Sequence, residues 1–552
     1  MPSDSDFLDV GSVKPVSDTA APALSHLQRQ KLVVLFLLVT GVAALVAGGH
    51  SYAIDNEVQF QTTRSLVQLN PELESVDSAW ADATNGPYVR TDEGGYIAVV
   101  GIGHSIVASP FYAASRAVAQ LLPGQDRDSF VRTGTMFTNS VVLGLLAVAV
   151  ALLALELTPS FRAAWAVGLA YALGTYALPL SKTFFTELTS ALFLTVAVLA
   201  ALRCARAASM RAAVFCGFCA GFGVLTRASS AMFVPLLGLW LAIIAVQRWG
   251  WRTMARCLLA FAAGGLAPLA AFLFFNWWRF GSPTDVGYSR VPQSFPLQDG
   301  LYNHFFTPGK SMFLFAPIIV LGFAGMIVGL VRHTAAMSLV VAVVCANLVF
   351  FSRVPFWSGD AAWGARYQQI VLPLMCVPAV VLASRRWWAA TFGTLAAVGF
   401  AVPALLGSLI YFNVFFIEAA QQNAAWEATT KEAAWQPFLG HAELAPVGIR
   451  DVLGANRPGE VDRGPYSQDP ATHYGYFGSE PRIDFWWLWV SPMRSSAATY
   501  LFFVPILVAF AGAIWLRNEN GHLPRALRRA RRRPGRDPRP EPTCPESLTM
   551  VE

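Results

Sequence analysis

KLVVLFLLVTGVAALVAGGHSYAIDNEVQFQTTR, residues 31–64, is the stretch on which the fold turns. Its first part, 31–49, is almost wholly apolar, and about 20 such residues make a helix long enough to cross roughly 30 Å of hydrocarbon. Asp55, Glu57 and Arg64 follow a few residues later, where uncompensated charge is costly unless used. A span followed at once by ionisable residues points to chemistry at a membrane surface.

Outward from that stretch, the same composition recurs. Of 552 residues, 55% are hydrophobic and 13% charged, and the mean hydropathy is +0.47, far too apolar for a soluble globular protein. The expected class is an all-α polytopic membrane protein. Twelve spans are predicted, near 31–49, 135–157, 163–181, 187–203, 211–226, 230–247, 255–277, 312–331, 335–352, 367–384, 389–415 and 498–516. The first is read as an uncleaved anchor, because its apolar run is long and its polar leader extended.

Short cytoplasmic loops collect Lys and Arg, which sets the orientation. Arg29 and Lys31 precede the first span; Arg203, Arg206 and Arg211 follow the fourth, and Arg248, Arg252 and Arg256 the sixth. Arg332, His333, Arg385 and Arg386 mark two further turns on that side, and the run from Arg525 to Arg536 closes the chain. Both termini are therefore expected in the cytoplasm. The apolar stretch 96–122, with His104, Pro110 and Arg116, would invert this pattern if it spanned, so it is read as an interfacial or re-entrant helix.

The organisation that results is a polar N-terminus (1–28), a transmembrane module (29–415) with outer loops at 50–134 and 278–311, an outer loop or small cap (416–497), a last span (498–516) and a basic tail (517–552). Two lookalike motifs fall away. Cys216 and Cys219 form a C-x-x-C inside a span with nothing nearby to complete a metal or redox site, and read as helix packing. TPGKS, residues 307–311, ends like a phosphate-binding loop, but His304 stands where that motif needs its first glycine. The cysteines lie in spans or on the cytoplasmic side, so no outer disulfide is implied.

Ionisable residues instead gather on the outer side. Asp55, Glu57 and Arg64 occupy the first loop, Lys182 and Glu187 the turn after the third span, and Arg227 the end of the fifth. Arg279, Asp285, Tyr288 and Lys310 follow the seventh span, and Arg353, Asp360 and Arg366 the ninth. The spans themselves are nearly free of charge, which weighs against a secondary transporter. Mixed carboxylates and cations at one membrane face suit transfer of a sugar from a lipid phosphate: the acceptor hydroxyl needs a base and the leaving phosphate needs cations.

At this point the chain resembles the polyprenyl-phosphate-dependent glycosyltransferases of the C superfamily, which include protein O-mannosyltransferases and the lipid A aminoarabinose transferase. In those enzymes an acidic pair opens a helix in the first outer loop, with a basic residue about nine positions on, as Asp55 and Arg64 stand here. The second acid is replaced by Asn56, with Glu57 one residue late. YIAVVGIGHSIVASPFY (96–112) resembles the family's second juxtamembrane segment, SKTFFTE (181–187) its second outer loop, and GFGVLTR (221–227) the span end whose cation faces the donor phosphate. NWWRFGSP (276–283), Gly287-Tyr288 and WSGDAAWGAR (357–366) resemble a bacterial branch of the same superfamily.

The resemblance implies a twelve-span architecture and an inverting displacement. Asp55 would be the base, Glu57 or Glu187 its possible acidic partner, and Arg227, Lys182, Arg366 and Lys310 the phosphate ligands. Arg64, Tyr288, Trp357 and Asp360 would contact substrate. It implies a polyprenyl-phosphate sugar donor, an acceptor lipid, glycan or protein, and no nucleic acid. No metal ligand set is expected, and no cofactor is required; a divalent cation is compatible but not indicated.

Each residue has a plainer alternative. Asp55 is a favoured helix N-cap, Arg227 an interfacial anchor, Lys182 and Glu187 a local pair, Lys310 and Arg366 loop charges, and Tyr288, Trp357 and Trp363 members of an aromatic belt. At the level of the whole chain, a flippase for lipid-linked sugars or a non-catalytic scaffold shares many of these features. Only five of the 40 basic residues are lysine, which suggests a GC-rich bacterial genome, an inner-membrane location and an outward-facing site.

Overall fold

In the computed structural model the described residues are 24–51, 53–70, 87–90, 95–121, 127–287, 292–359, 362–410, 431–432, 436–453, 483, 485–489, 506–507 and 510–511. Tyr288, Asp360, the basic tail and most of the last predicted span and outer cap lie outside them.

Seven helical segments among the described residues are long and apolar enough to cross a membrane, and four shorter apolar helices accompany them. These segments coincide with the first eleven predicted spans. Helix α1 (His26–Val46) starts on a capping box in which Ser25 and Gln28 satisfy each other's backbone N–H groups. The segment after it, expected on the outer side, supplies α2 (Ile54–Gln68), strands β1 (Tyr88–Arg90) and β2 (Tyr96–Ala98), and α3 (Ile102–Ala119). Next come α4 (Arg127–Leu155), α5 (Phe161–Leu173), α6 (Glu187–Ala207), α7 (Met210–Thr226), α8 (Phe233–Trp249) and α9 (Trp251–Phe280). The second half contains α10 (Leu297–Phe306), α11 (Ile319–Arg332), α12 (Thr334–Ser352), α13 (Trp388–Gly399) and α14 (Pro437–Leu453).

Helices α4 and α6 are central, with 72% and 78% of their apolar windows buried, against 22% in α9. The outward face of α9, carrying Leu259, Leu266 and Phe274, is left for lipid. No hydrophobic force separates lipid from a leucine face, so membrane helices associate where small residues let backbones approach. Helices α7 and α9 do this: a Cβ on Gly217 would fall 1.8 Å from the Phe261 carbonyl oxygen, and one on Gly264 would fall 1.9 Å from that of Val214.

Several expectations need correction. Among the described residues the all-α class admits a short antiparallel pair, in which Tyr88 faces Ala98 and Arg90 faces Tyr96, and an isolated bridge between Ile410 and Ile483; aromatic and β-branched residues at the paired segments favour extended backbone. The predicted tenth span is a buried run of three short pieces, Arg366–Ile370, Leu372–Cys376 and Val377–Leu382, because Pro373 and Pro378 remove backbone donors. The eighth begins only at Ile319; Met312–Phe315 is a separate turn ahead of Pro317. Within the stretch 96–122, Ile102–Ala119 does form a helix outside the candidate spans. In α3 the buried positions His104, Ala108, Tyr112, Ser115 and Ala119 follow one helical stripe, while Ile106, Pro110 and Arg116 face out.

Candidate active site

Helix α2 begins after Ala53, an extended residue with no side-chain cap, so Asp55 lies inside the first turn and is not the N-cap. At about 100° per residue, positions 55 and 57 leave α2 on opposite sides. Asp55 Oδ2 accepts from Arg366 Nη2 at 2.8 Å, and its side chain stays 43% exposed. Arg366 Nε donates to Glu187 Oε1 at 2.8 Å, and Arg227 Nη1 donates to the same oxygen at 2.7 Å. Four residues distant in sequence thus form one ladder, Asp55–Arg366–Glu187–Arg227.

Local structure explains each rung. Glu187 opens α6, where a carboxylate meets the positive end of the helix. Arg227 ends α7 in extended conformation, and the start of α3 presses on that end: a Cβ on Gly103 would come 2.3 Å from Thr226 Oγ1, so only glycine fits. Arg366 follows Gly364, whose φ of +71° is one that glycine adopts freely. Aromatic rings bed the cations. The Arg366 guanidinium lies 3.5 Å from the Phe185 ring centre and that of Arg227 5.0 Å from Tyr367, which stacks on Phe351.

Arg366 and Glu187 are buried, whereas Arg227 remains 22% exposed. Glu187 Oε2 is buried and has no hydrogen-bond partner among the described residues. The ladder therefore ends in an accessible carboxylate on one side and an accessible guanidinium on the other. Such an arrangement can accept a proton at one end and hold an oxyanion at the other.

Two crystal structures are among those that resemble the chain. They are ArnT from Cupriavidus metallidurans in the apo state (16% identity, TM-score 0.44, covering 87% of this chain and 77% of that one) and the same protein bound to undecaprenyl phosphate (15%, 0.43, 78% and 80%). ArnT is the lipid A aminoarabinose transferase named by the sequence resemblance. At these values the likeness transfers no residue role, substrate or activity to this chain. No protein-family profile and no curated relative matches it.

The remaining predicted residues fall elsewhere. Glu57 is 5% exposed and turned away from Asp55; it accepts from Arg132 Nη1 (2.6 Å), Gln61 (2.6 Å) and Ser51 (2.9 Å). Burial pushes its carboxyl upward, but the Arg132 charge and these three hydrogen bonds outweigh that and hold it below the ordinary value. Lys182 does not pair with Glu187: its Nζ donates to the Ser408 carbonyl at 2.7 Å. Lys310 donates to the Ala362 carbonyl at 2.5 Å. Both lysines are buried. Nine positions from Asp55, Arg64 lies half a turn out of phase with it, and its buried Nε meets no partner among the described residues. Trp357 is buried edge-on against His304, 5.6 Å between ring centres, in the protein interior and not in an exposed belt.

His104 was only weakly marked in the sequence, yet it is fully buried beside the ladder, with Nδ1 2.8 Å from Thr189 Oγ1. Burial drives it down to about 3, against a smaller upward pull from Glu187, so the ring is neutral at ordinary pH. Among the described residues no group of three His, Cys, Asp or Glu side chains is placed to hold a metal. Phe185 and Tyr367 were missed as cation platforms, though Phe185 lies within one quoted motif and Tyr367 adjoins another. Arg132 was missed as well; its signal was the i, i+4 spacing from Asp128, to which its Nε donates at 2.6 Å.

Proposed function

We propose that the protein is an integral-membrane glycosyltransferase that moves a sugar from a polyprenyl-phosphate donor to an acceptor hydroxyl at the extracytoplasmic face of a bacterial inner membrane. The observation that supports this reading is the ladder from Asp55 to Arg227, with an exposed acid and an exposed cation at its ends. Asp55 takes the proton of the acceptor hydroxyl, whose oxygen bonds to the anomeric carbon. The bond from that carbon to the phosphate oxygen breaks from the opposite face, inverting the centre. Arg227 holds the charge that develops on the departing phosphate, and Arg366 orients the Asp55 carboxylate. A lipid monophosphate leaving against cations requires no divalent ion in this scheme.

The test is transfer in lipid nanodiscs from a panel of radiolabelled polyprenyl-phosphate sugars to a cell-envelope extract. Asp55→Asn should lower turnover by about 10²- to 10⁴-fold, the usual contribution of a general base, while inserting and melting as the wild type does. Undiminished transfer by that variant removes Asp55 from the chemistry. A wild type that transfers from none of the donors, while still binding them, favours a flippase or scaffold.

A further inference from the structure

Helix α2 carries Asp55, yet its sequence does not specify which way the helix faces. Nine of its residues are buried, and all but Val58 and Phe60 are polar: Asn56, Glu57, Gln59, Gln61, Thr62, Thr63 and Ser65. An amphipathic helix is oriented by an apolar stripe. Here the buried apolar residues are divided between two clusters, Val58 against Tyr96 and Ala98 and Phe60 against Tyr112 and Phe130, so no single stripe fixes the rotation and polar contacts share in setting it.

The one buried charge pair on α2 supplies the strongest of these. Arg132, 10% exposed and near the start of α4, uses three surfaces at once. Its Nη1 meets Glu57 Oε2 at 2.6 Å, its Nε meets Asp128 Oδ2 at 2.6 Å, and its face lies 4.4 Å from the centre of the Phe60 ring. Ser51 and Gln61 donate to the two Glu57 oxygens, so the carboxylate is bonded on both. On the other flank of α2, Gln59 and Thr63 reach Ser105 of α3 at 2.6 Å and 3.1 Å, bonds without charge.

We infer that Glu57 and Arg132 are positioning residues: their ion pair fixes the rotation of α2 and thereby presents Asp55, on the opposite side of the same turn, to Arg366. The inference rests on the transferase reading only for its kinetic consequence. Acids two positions apart on a helix cannot share one substrate, so here the second acid acts through the backbone. A buried ion pair often adds little net stability compared with an apolar pair of similar shape, but it accepts few alternative arrangements.

The test pairs geometry with kinetics. Spin labels are placed at Leu69, just past α2, and at Leu145 on α4, both exposed, in a chain whose exposed Cys345 and tail Cys544 are changed to Ser. Double electron–electron resonance in nanodiscs reads the distance distribution between them. Two replacements are compared with the wild type: Glu57→Gln, and the double variant Glu57→Met with Arg132→Met, which leaves no buried charge unpaired and so preserves the fold. Broadening or displacement of the distribution is expected in both. In the sugar-transfer assay kcat should fall about 100-fold with KM for the donor unchanged, the scale of a misplacement near 1 Å. An unchanged distribution in the double variant overturns the inference, whatever its activity. A broadened distribution, in a protein whose wild type transfers no sugar, sustains the positioning role and sinks the transferase reading instead.

Discussion

Arg366 is gripped from three directions, by Asp55, by Glu187 and by the face of Phe185, and no property of its sequence neighbourhood announced all three. Its motif placed it on the outer side among the phosphate ligands. In the structure it is the buried link from Asp55 to Glu187, whose carboxylate also holds Arg227. Residue-scale charge also sets acid tolerance. His104, His304 and His441 are fully buried outside the candidate spans and burial holds each near 3, against an ordinary value of 6.5. A histidine lowered on folding contributes stability in full above its unfolded value and loses it as pH falls toward the folded one. The unfolding free energy should therefore decline from pH 6.5 downward, by up to about 1.4 kcal/mol per pH unit for each histidine, read as a falling melting temperature. His104→Gln should flatten that slope; an unaltered slope would mean His104 does not titrate with unfolding.

At the scale of elements, the spans were legible because twenty apolar residues in a row have few other uses. Eleven helical segments sit where hydropathy put them. What hydropathy could not foresee was how prolines divide such runs, as at Pro317, Pro373 and Pro378, or how a mostly polar helix such as α2 comes to be buried. The ladder was half legible: Asp55, Glu187, Arg227 and Arg366 were all singled out, but partners up to 311 positions apart leave no trace in local spacing. Close helix contact is similarly invisible until backbones are placed. Gly264→Val should force α7 and α9 apart and destabilise the protein by about 1–3 kcal/mol, read as a lower unfolding midpoint in detergent. A midpoint equal to that of the wild type would show that this pair can separate without loss.

Across the whole molecule, the expected sidedness places the ladder outside and the basic turns inside. In the background lacking Cys345 and Cys544, a membrane-impermeant maleimide applied to intact spheroplasts should modify Thr284→Cys, in the loop after α9. It should not modify Gln247→Cys, at the end of α8, until the membrane is opened. The opposite pattern would invert the topology and put Asp55 in the cytoplasm.

One long-range contact bears on how such a chain is made. The indole N–H groups of Trp486 and Trp487 donate to the Ala44 and Leu45 carbonyls at 2.9 Å each, and the Trp486 amide donates to Ala47 at 2.8 Å. These carbonyls belong to the last turn of α1, which a helix leaves without internal partners. Synthesis produces α1 first and its closing tryptophans 442 residues later. The end of the first helix is therefore capped late, and a chain that stops before residue 486 leaves the Ala44, Leu45 and Ala47 carbonyls without these tryptophan donors.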